Sequence, residues 1–591
     1  MKSPVMPSPV MPSRALAPTS RPLAAAFLLL VALQPLAGRA ADLPTLDDAQ
    51  RRNWQRFWEE QQALELLLDL SAEHRPETLA IVGATLIPMT GERSIADAVV
   101  VVAAGRITAA GPRSGVEIPE GAEIIDGTGR FLIPGLTEGH SHTIHSPSQL
   151  LVYLTRGVTT LREMDGYPWM LEARRKAEQG ELLMPSLLVA GHILSNRAWD
   201  FYMTQVDTPG EARRLVAEQA AAGYDFIKIH NSLPEPLWSA VFQAAHEAGL
   251  DVVGHIPNEI TIAQAVADGM RTNEHFKGYL FDQTLEITEQ DYVAATRGSD
   301  LWNAPTFATY HDHLRGAEAL EVVERESSLR LVPRWMRRDW LEQAEQPMDK
   351  LTALRQTIYP KSREIFQDLR PVTDKFFAGT DTGSYAMMVP GYALQEEVRI
   401  FEGLGLTPFE ALETATVHAA TAMRRDGEFG VVAPGARGDL LLLGSNPLEG
   451  TAHLADIRGV AVRGTWLDRA ALDEIEERLS LLFSDRTPIP EPTRPALEAL
   501  VTGARRIRER GFPYPGYILD EIGDWLSALG QEDLGRSVRA SQPAPMTSAA
   551  SSSAAAAAAG APAGGGSKIR TEQEERADEG SAVIPVRGRR E

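Results

Sequence analysis

At 591 residues the chain exceeds what one compact core supports, so it calls for one large domain with satellites. Its 43% hydrophobic and 23% charged residues are those of a folded protein, and a formal net charge of −22 argues against a nucleic-acid partner, which would want clustered basic residues. The absence of cysteine excludes disulfides, thiolate metal sites and cysteine nucleophiles.

Residues 1–40 read as a signal peptide. Lys2, Arg14 and Arg21 supply positive charge, Leu23 to Leu33 form an unbroken apolar run, and Gly38-Arg39-Ala40 offers small residues for cleavage. The run is about half of the roughly 20 residues that a spanning helix needs, so no stable membrane insertion is expected after cleavage. An uncleaved membrane anchor stays open as the alternative, given the long polar lead before the apolar core. The expected destination is the bacterial periplasm or the exterior. Residues 41–76 read as an N-terminal helical segment, with Trp54, Phe57, Trp58 and Leu64 set among charges.

From residue 77 the texture changes to short β runs separated by glycine-containing turns, such as Ala80-Ile81-Val82, Ala98 to Val102 and Glu123-Ile124-Ile125. The same texture returns at Asp439 to Leu443 and Val460 to Val462. Residues 77–130 and 425–469 are therefore expected to form one small β-sandwich domain built from both flanks of an inserted domain. Between them, residues 131–424 alternate β-rich runs with Ala- and Glu-rich helical stretches.

Eight candidate strands are expected there: Phe131 to Pro134 running into a histidine pair, Val158 to Arg162, Ser186 to Val189, Phe226 to Ile229, Val252 to Gly254, Thr272 to Asn273, Trp302 to Thr306 and Phe376 to Gly379. This pattern predicts an α/β fold, a (β/α)8 TIM-like barrel. Residues 470–540 follow as a helical C-terminal extension with Trp525 and Leu526 as packing anchors. Residues 541–591, poor in apolar side chains, read as a disordered tail. The stretch from about Arg315 to Pro371 is long enough to form a helical lid.

Five of the strands end in a metal-competent side chain. His140 and His142, at i and i+2 of an extended segment, point to one side and can reach one cation. Lys228 shares one strand face with Phe226 and His230. A lysine aimed into a barrel is costly to bury charged, whereas reaction with CO2 would make an anionic carbamate able to bridge two metal ions. His255 and His275 close two further strands, and Asp381 delivers one carboxylate after Gly379-Thr380. In a barrel the C-terminal strand ends converge on one mouth, which turns distant residues into a cluster. His230 and His192 are candidate substrate contacts, with Tyr310, His311 and His313 weaker ones. His74, His246, His418 and His453 fall outside the strand-end pattern and read as structural.

Taken together, these motifs resemble the metal-dependent amidohydrolase superfamily, in its imidazolonepropionase-like and Xaa-Pro-dipeptidase-like branch. The resemblance spans roughly residues 79–470. It includes Gly157-Val158-Thr159-Thr160, Gly405-Leu406-Thr407-Pro408, Gly435-Ala436-Arg437-Gly438-Asp439-Leu440, Asn446-Pro447-Leu448 and Val462-Arg463-Gly464. It implies that His140 and His142 bind the more buried metal, that the Lys228 carbamate bridges, that His255 and His275 hold the second metal, and that Asp381 is shared. Two departures stand out: Glu138 where the family usually has Asp, and Arg162-Glu163-Met164-Asp165 where it usually reads Arg-Asp-Met-Gly.

The resemblance implies two divalent metals, expected to be zinc, and hydrolysis of a C–N bond in an amide, cyclic amide or dipeptide. Zinc lowers the pKa of a bound water from 15.7 to about 7, and Asp381 would take its proton and pass it to the leaving nitrogen, as base and then acid. Two alternatives stay open: a mononuclear, deaminase-like hydrolase with Lys228 unmodified, and a non-catalytic barrel used for binding. The expected partner is a small-molecule or dipeptide substrate. A homo-oligomer is in keeping with the resemblance, without a number.

Overall fold

The computed structural model describes residues 46–540 except 73–76, 92–93, 144–145, 198–202, 280–286, 311–326, 346–348 and 384–386. The expected signal peptide, the C-terminal tail, His74, His311 and His313 lie outside the described residues. Among the described residues no helix is long and apolar enough to cross a membrane.

The described residues open on a helix, Asp48–Ser71, started by a capping box in which Asp47 and Gln50 bond each other's backbone amides. Five strands follow: β1 (Thr78–Leu86), β2 (Ile95–Ala103), β3 (Arg106–Pro112), β4 (Glu123–Asp126) and β5 (Phe131–Pro134). Nine more occupy the middle of the chain: β6 (Leu136–Ser141), β7 (Val158–Glu163), β8 (Ser186–Val189), β9 (Ile193–Ser195), β10 (Met203–Gln205), β11 (Phe226–Ile229), β12 (Asp251–Gly254), β13 (Thr272–Glu274) and β14 (Trp302–Ala304). The last three are β15 (Leu440–Leu443), β16 (Ile457–Val462) and β17 (Thr465–Asp468).

Strands from the two flanks join in one eight-stranded sheet of order β17-β16-β15-β5-β1-β2-β3, with β4 paired to β1. The sequence pattern suggested two stacked sheets; the hydrogen bonding instead makes one continuous sheet. The cause is β1, whose first half pairs with β4 and whose last residues pair with β5, the register shifting between Val82 and Leu86. Both faces of this sheet are apolar. Leu79, Ile81, Val100 and Val102 pack on one side, and Ala80, Val82, Val99 and Val101 on the other, which explains the unbroken valine run in β2.

Phe131–Pro134 belongs to this flanking sheet, antiparallel to β15, and not to the set of strands that carries the histidines. The strand leading to the histidine pair is β6. Gly135 makes the change of sheet: a side chain there would meet Thr159 at 2.2 Å, and its amide donates to the Asp439 carbonyl at 3.0 Å.

The middle strands are parallel and alternate with helices, giving an α/β domain. β6-β7-β8 form one sheet and β10-β9-β11-β12-β13-β14 another. Isolated parallel bridges join their edges: Ala190 with Phe226, Asn303 with Phe376, and Ser141 with Thr382. The expected Phe376–Gly379 strand is thus an extended segment that pairs at single bridges.

Beyond β17 the C-terminal extension is helical, as Arg469–Leu482, Arg494–Glu509, Gly516–Ala528 and Glu532–Arg539. The N-terminal helix packs against it. Trp54 stacks on Trp525 with ring centroids 5.8 Å apart, its indole N–H donates to the Pro490 carbonyl, and Gln61 donates to the Leu500 carbonyl. In the 315–371 stretch, Arg334–Glu345 and Asp349–Leu369 are helices, and Arg334 pairs with Glu59 of the N-terminal helix.

Candidate metal centre

His140 and His142 sit at the end of β6, and backbone bonds set Asp381 between them. The Asp381 amide donates to the His140 carbonyl and the His142 amide donates to the Thr382 carbonyl, both at 2.8 Å. This close approach depends on Gly383 (φ 106°), where a side chain would meet the His142 carbonyl oxygen at 2.1 Å. Asp381 itself has φ 59°, a left-handed conformation that Asp and Asn tolerate better than other side chains.

The side chains converge. His142 Nε2 lies 3.1 Å and His140 Nε2 3.4 Å from Asp381 Oδ1, the two Nε2 atoms are 3.3 Å apart, and His275 Nε2 is 3.7 Å from Asp381 Oδ2. Donor atoms of His140, His275 and Asp381 all fall within 4.8 Å of one another, and all three residues are buried. His255 continues the ring of imidazoles, 5.0 Å from His275 by centroid, and the His230 ring lies 4.2 Å from that of His255, tilted by 44°. Lys228 is buried in β11. Its stem passes Gly254, where a Cβ would come within 2.8 Å of Lys228 Cδ. The structure therefore brings His140, His142, His275 and Asp381 together, sets His255 and His230 beside them, and buries Lys228 near His255.

Each imidazole of the expected ligand set is held by its other nitrogen. His140 Nδ1 pairs with Glu274 Oε2 at 2.9 Å, His142 Nδ1 with Asp165 Oδ1 at 2.8 Å, His255 Nδ1 with Asn231 Oδ1 at 2.7 Å, and His275 Nδ1 with Thr306 Oγ1 at 2.7 Å. The Thr306 hydroxyl donates to the Pro305 carbonyl, so it accepts from His275. All four partners are acceptors. They fix the proton on Nδ1 and leave the Nε2 lone pair for a cation.

The donor set fits a divalent metal. Two donors each about 2.0–2.1 Å from one tetrahedral ion stand roughly 3.3 Å apart, the spacing found here. The electrostatics agree. Burial pulls the His142 imidazole down, but Asp165 and Asp381 outweigh it and raise it to about 10; a field that favours imidazolium favours a metal cation equally. His255 is the opposite case: burial, with His230, Lys228 and His275 beside it, drives it far below its ordinary range, which favours the neutral imidazole.

Glu138 organises the floor of the site without being one of the expected ligands. Its carboxylate accepts from the His140 amide at 3.0 Å, the Thr380 amide at 2.9 Å and the Thr380 hydroxyl at 2.7 Å, and burial pushes it up to about 8. The two departures noted in the sequence thus acquire roles, since Glu138 ties the first strand to the last and Asp165 orients His142. The sequence reading missed Glu274, Asn231 and Thr306. Glu274 directly precedes His275, and Asn231 lies three residues beyond Lys228, yet short polar side chains beside a ligand carry no signal until the partner imidazole is placed.

The His192 ring lies 4.4 Å from that of Tyr167, and its carbonyl accepts from Gln219. Tyr310 is buried with its ring 6.5 Å from His275. His418 and His453 donate from Nδ1 to the carbonyls of Phe376 and Asn446, in keeping with structural roles.

The profile of the amidohydrolase family matches residues 131–468, more than half of the chain. This chain belongs to the amidohydrolase family. Among curated relatives, this amidohydrolase is similar to an adenine deaminase of Mesorhizobium japonicum, 23% identical over 406 residues, covering 64% of this chain and 55% of the relative. A 5-methylthioadenosine/S-adenosylhomocysteine deaminase of Symbiobacterium thermophilum is 37% identical over 103 residues, 17% of this chain and 23% of that one. The chain thus spans about half the length, or less, of these relatives. Among solved structures it is similar in fold to a bottromycin amidohydrolase (TM-score 0.59, 22% identity, 76% of this chain and 98% of the other). A prolidase complexed with N-methylphosphonate-L-proline is likewise similar (TM-score 0.53, 23% identity, 66% and 100%).

Proposed function

We propose that this amidohydrolase is a metal-dependent hydrolase that cleaves a C–N bond in a small amide, cyclic amide or dipeptide. One observation carries the reading: three buried imidazoles, His140, His142 and His275, each held at Nδ1 by an acceptor, present Nε2 to the Asp381 carboxylate, with His255 beside His275. The three edge bridges support a closed (β/α)8 barrel, which would place these strand ends at one mouth.

His140, His142 and Asp381 would hold one divalent ion, and His255 and His275 a second, both expected to be zinc. Lys228, N-carboxylated by CO2, would be shared. An ammonium at Lys228, whose charge already bears on His255, would repel a cation there, whereas the carbamate would attract it. Bound divalent metal supplies a water acidic enough to react near neutral pH and polarises the scissile carbonyl. Asp381, buried and between the imidazoles, accepts the water's proton and delivers it to the leaving nitrogen. Glu138 keeps Asp381 in register through Thr380, and His230, beside His255, would touch substrate.

The curated relatives named adenine deaminases support a second form of the same chemistry, with ammonia leaving from a ring carbon. The deciding experiment screens dipeptides, N-acyl amino acids and adenine, before and after chelation, with zinc and bicarbonate added back. Metal- and bicarbonate-dependent release of an amino acid supports the dinuclear reading. Ammonia release from adenine without a bicarbonate effect supports the deaminase form, and turnover that survives full chelation overturns both. Export by the 1–40 leader is part of the proposal, checked by N-terminal sequencing of the mature chain.

A further inference from the structure

The N-terminal helix Asp48–Ser71 lies outside the family match, yet it reaches the chain that leaves the metal site. Glu60, on its buried face and 3% exposed, accepts from the Ser146 hydroxyl at 2.5 Å, the Ser148 amide at 3.2 Å and the Ser148 hydroxyl at 3.3 Å. The two hydroxyls are themselves 2.9 Å apart. Nearer to His142 a second buried carboxylate acts in the same way. Glu163 accepts from the Thr143 amide at 2.9 Å, the Thr143 hydroxyl at 2.7 Å and the Ser141 hydroxyl at 3.0 Å. The backbone on the far side of His142 is therefore gripped at Thr143 and again at Ser146 and Ser148.

A carboxylate is a costly residue with which to pack a helix against a loop. Burial without partners would cost several kcal/mol, and an apolar side chain would fill the same space. Its three acceptor bonds go to named atoms of one segment, which is what positioning requires. The helix carrying it is anchored independently, by Gln61 on the Leu500 carbonyl, by Trp54 on Trp525, and by Ser71, which accepts from the Leu183 amide at 2.9 Å.

We propose that Glu60 is a positioning residue of the metal centre: it fixes Ser146, whose amide donates to the carbonyl of Thr143 at 3.1 Å, and so holds the residue next to His142 and the aim of that imidazole. This makes the N-terminal helix part of the site. The proposal rests on the reading of His140 and His142 as metal ligands.

The test uses the full zinc-loaded chain and two readouts, hydrogen exchange of the segment around Ser146–Leu150 and the rate of zinc loss to a chelator. Glu60→Ala and Ser146→Ala should both speed exchange there and hasten zinc loss about tenfold. Glu60→Gln, which keeps an acceptor oxygen, should recover part of the effect, and the Glu60→Ala/Ser146→Ala double variant should be no worse than the poorer single one. If Glu60→Ala fails to fold, Ser146→Ala and Ser148→Ala carry the test from the loop side. Variants that lose zinc at the wild-type rate, whatever their exchange or melting temperature, would overturn the positioning role. A wild-type chain that binds no zinc would overturn the metal reading itself, a separate result.

Discussion

The amide of Asp381 donates to the carbonyl of His140 at 2.8 Å, so the last carboxylate of the site is fixed by backbone to the first histidine. The bond holds Asp381 in a left-handed conformation, φ 59°. Asn adopts that conformation readily and Ala does not. Asp381→Asn should therefore keep the stability of the parent within about 1 kcal/mol, while Asp381→Ala loses a further ~1–2 kcal/mol from strain. Turnover should disappear in both, because neither side chain can carry the proton. Denaturant unfolding beside an activity assay checks this; an active Asp381→Asn enzyme would remove Asp381 from the chemistry.

Asp165 stands where the family usually has glycine, and it fixes the His142 proton on Nδ1. Asp165→Asn keeps the size but can present an N–H to that nitrogen, favouring the wrong tautomer. Metal affinity should fall about 10–100-fold with the fold intact. Competition against a chromophoric chelator measures it, and unchanged affinity would make Asp165 a structural residue only.

Gly254 has φ 120°, and a Cβ there would lie 2.3 Å from the Ile229 carbonyl oxygen and 2.8 Å from Lys228 Cδ. Gly254→Ala must displace the Lys228 stem or the strand below it. The expected result is a loss of about 1–3 kcal/mol of stability and of the second metal equivalent. Elemental analysis of the folded variant reads the second effect, and two retained equivalents would show that Lys228 does not hold the second metal.

Glu397 accepts from the amides of Phe307 and Ala308 at 3.0 and 2.6 Å, and burial pushes its carboxyl from its ordinary 4.5 to about 8. The folded state thus holds a proton that the unfolded chain releases. The stability contributed is complete below pH 4.5 and is lost as pH rises through about 8. Glu397→Gln should flatten that fall and leave the variant more stable than the parent above pH 8, by on the order of a few kcal/mol. Urea unfolding at pH 6 and pH 9 tests the sign, and parallel curves for the two proteins would refute it.

Much of the site was legible because its residues end strands. His140, His142, His255, His275 and Asp381 close short β-rich runs and Lys228 lies within one, and parallel strands bring such segments together whatever lies between. The start of β6 was not legible, because Phe131 to Leu136 is one apolar run whose change of sheet depends on Gly135 fitting against Thr159. The single flanking sheet was hidden for a similar reason: alternation reveals strands but not that β1 divides its pairing between β4 and β5. The acceptors behind the imidazoles, Glu274, Asn231 and Thr306, follow from tertiary geometry alone. So does Glu60, whose helix shows only an amphipathic pattern in sequence.

The central claim is that these imidazoles, Lys228 and Asp381 hold two divalent ions. Diffraction from crystals of the zinc-loaded protein, with anomalous scattering recorded at the zinc edge, tests it most directly. Two peaks about 3.5–4 Å apart are predicted, one against His140, His142 and Asp381 and one against His255 and His275, with carbamate density on Lys228 between them. Peaks elsewhere, or none at these imidazoles, would contradict it.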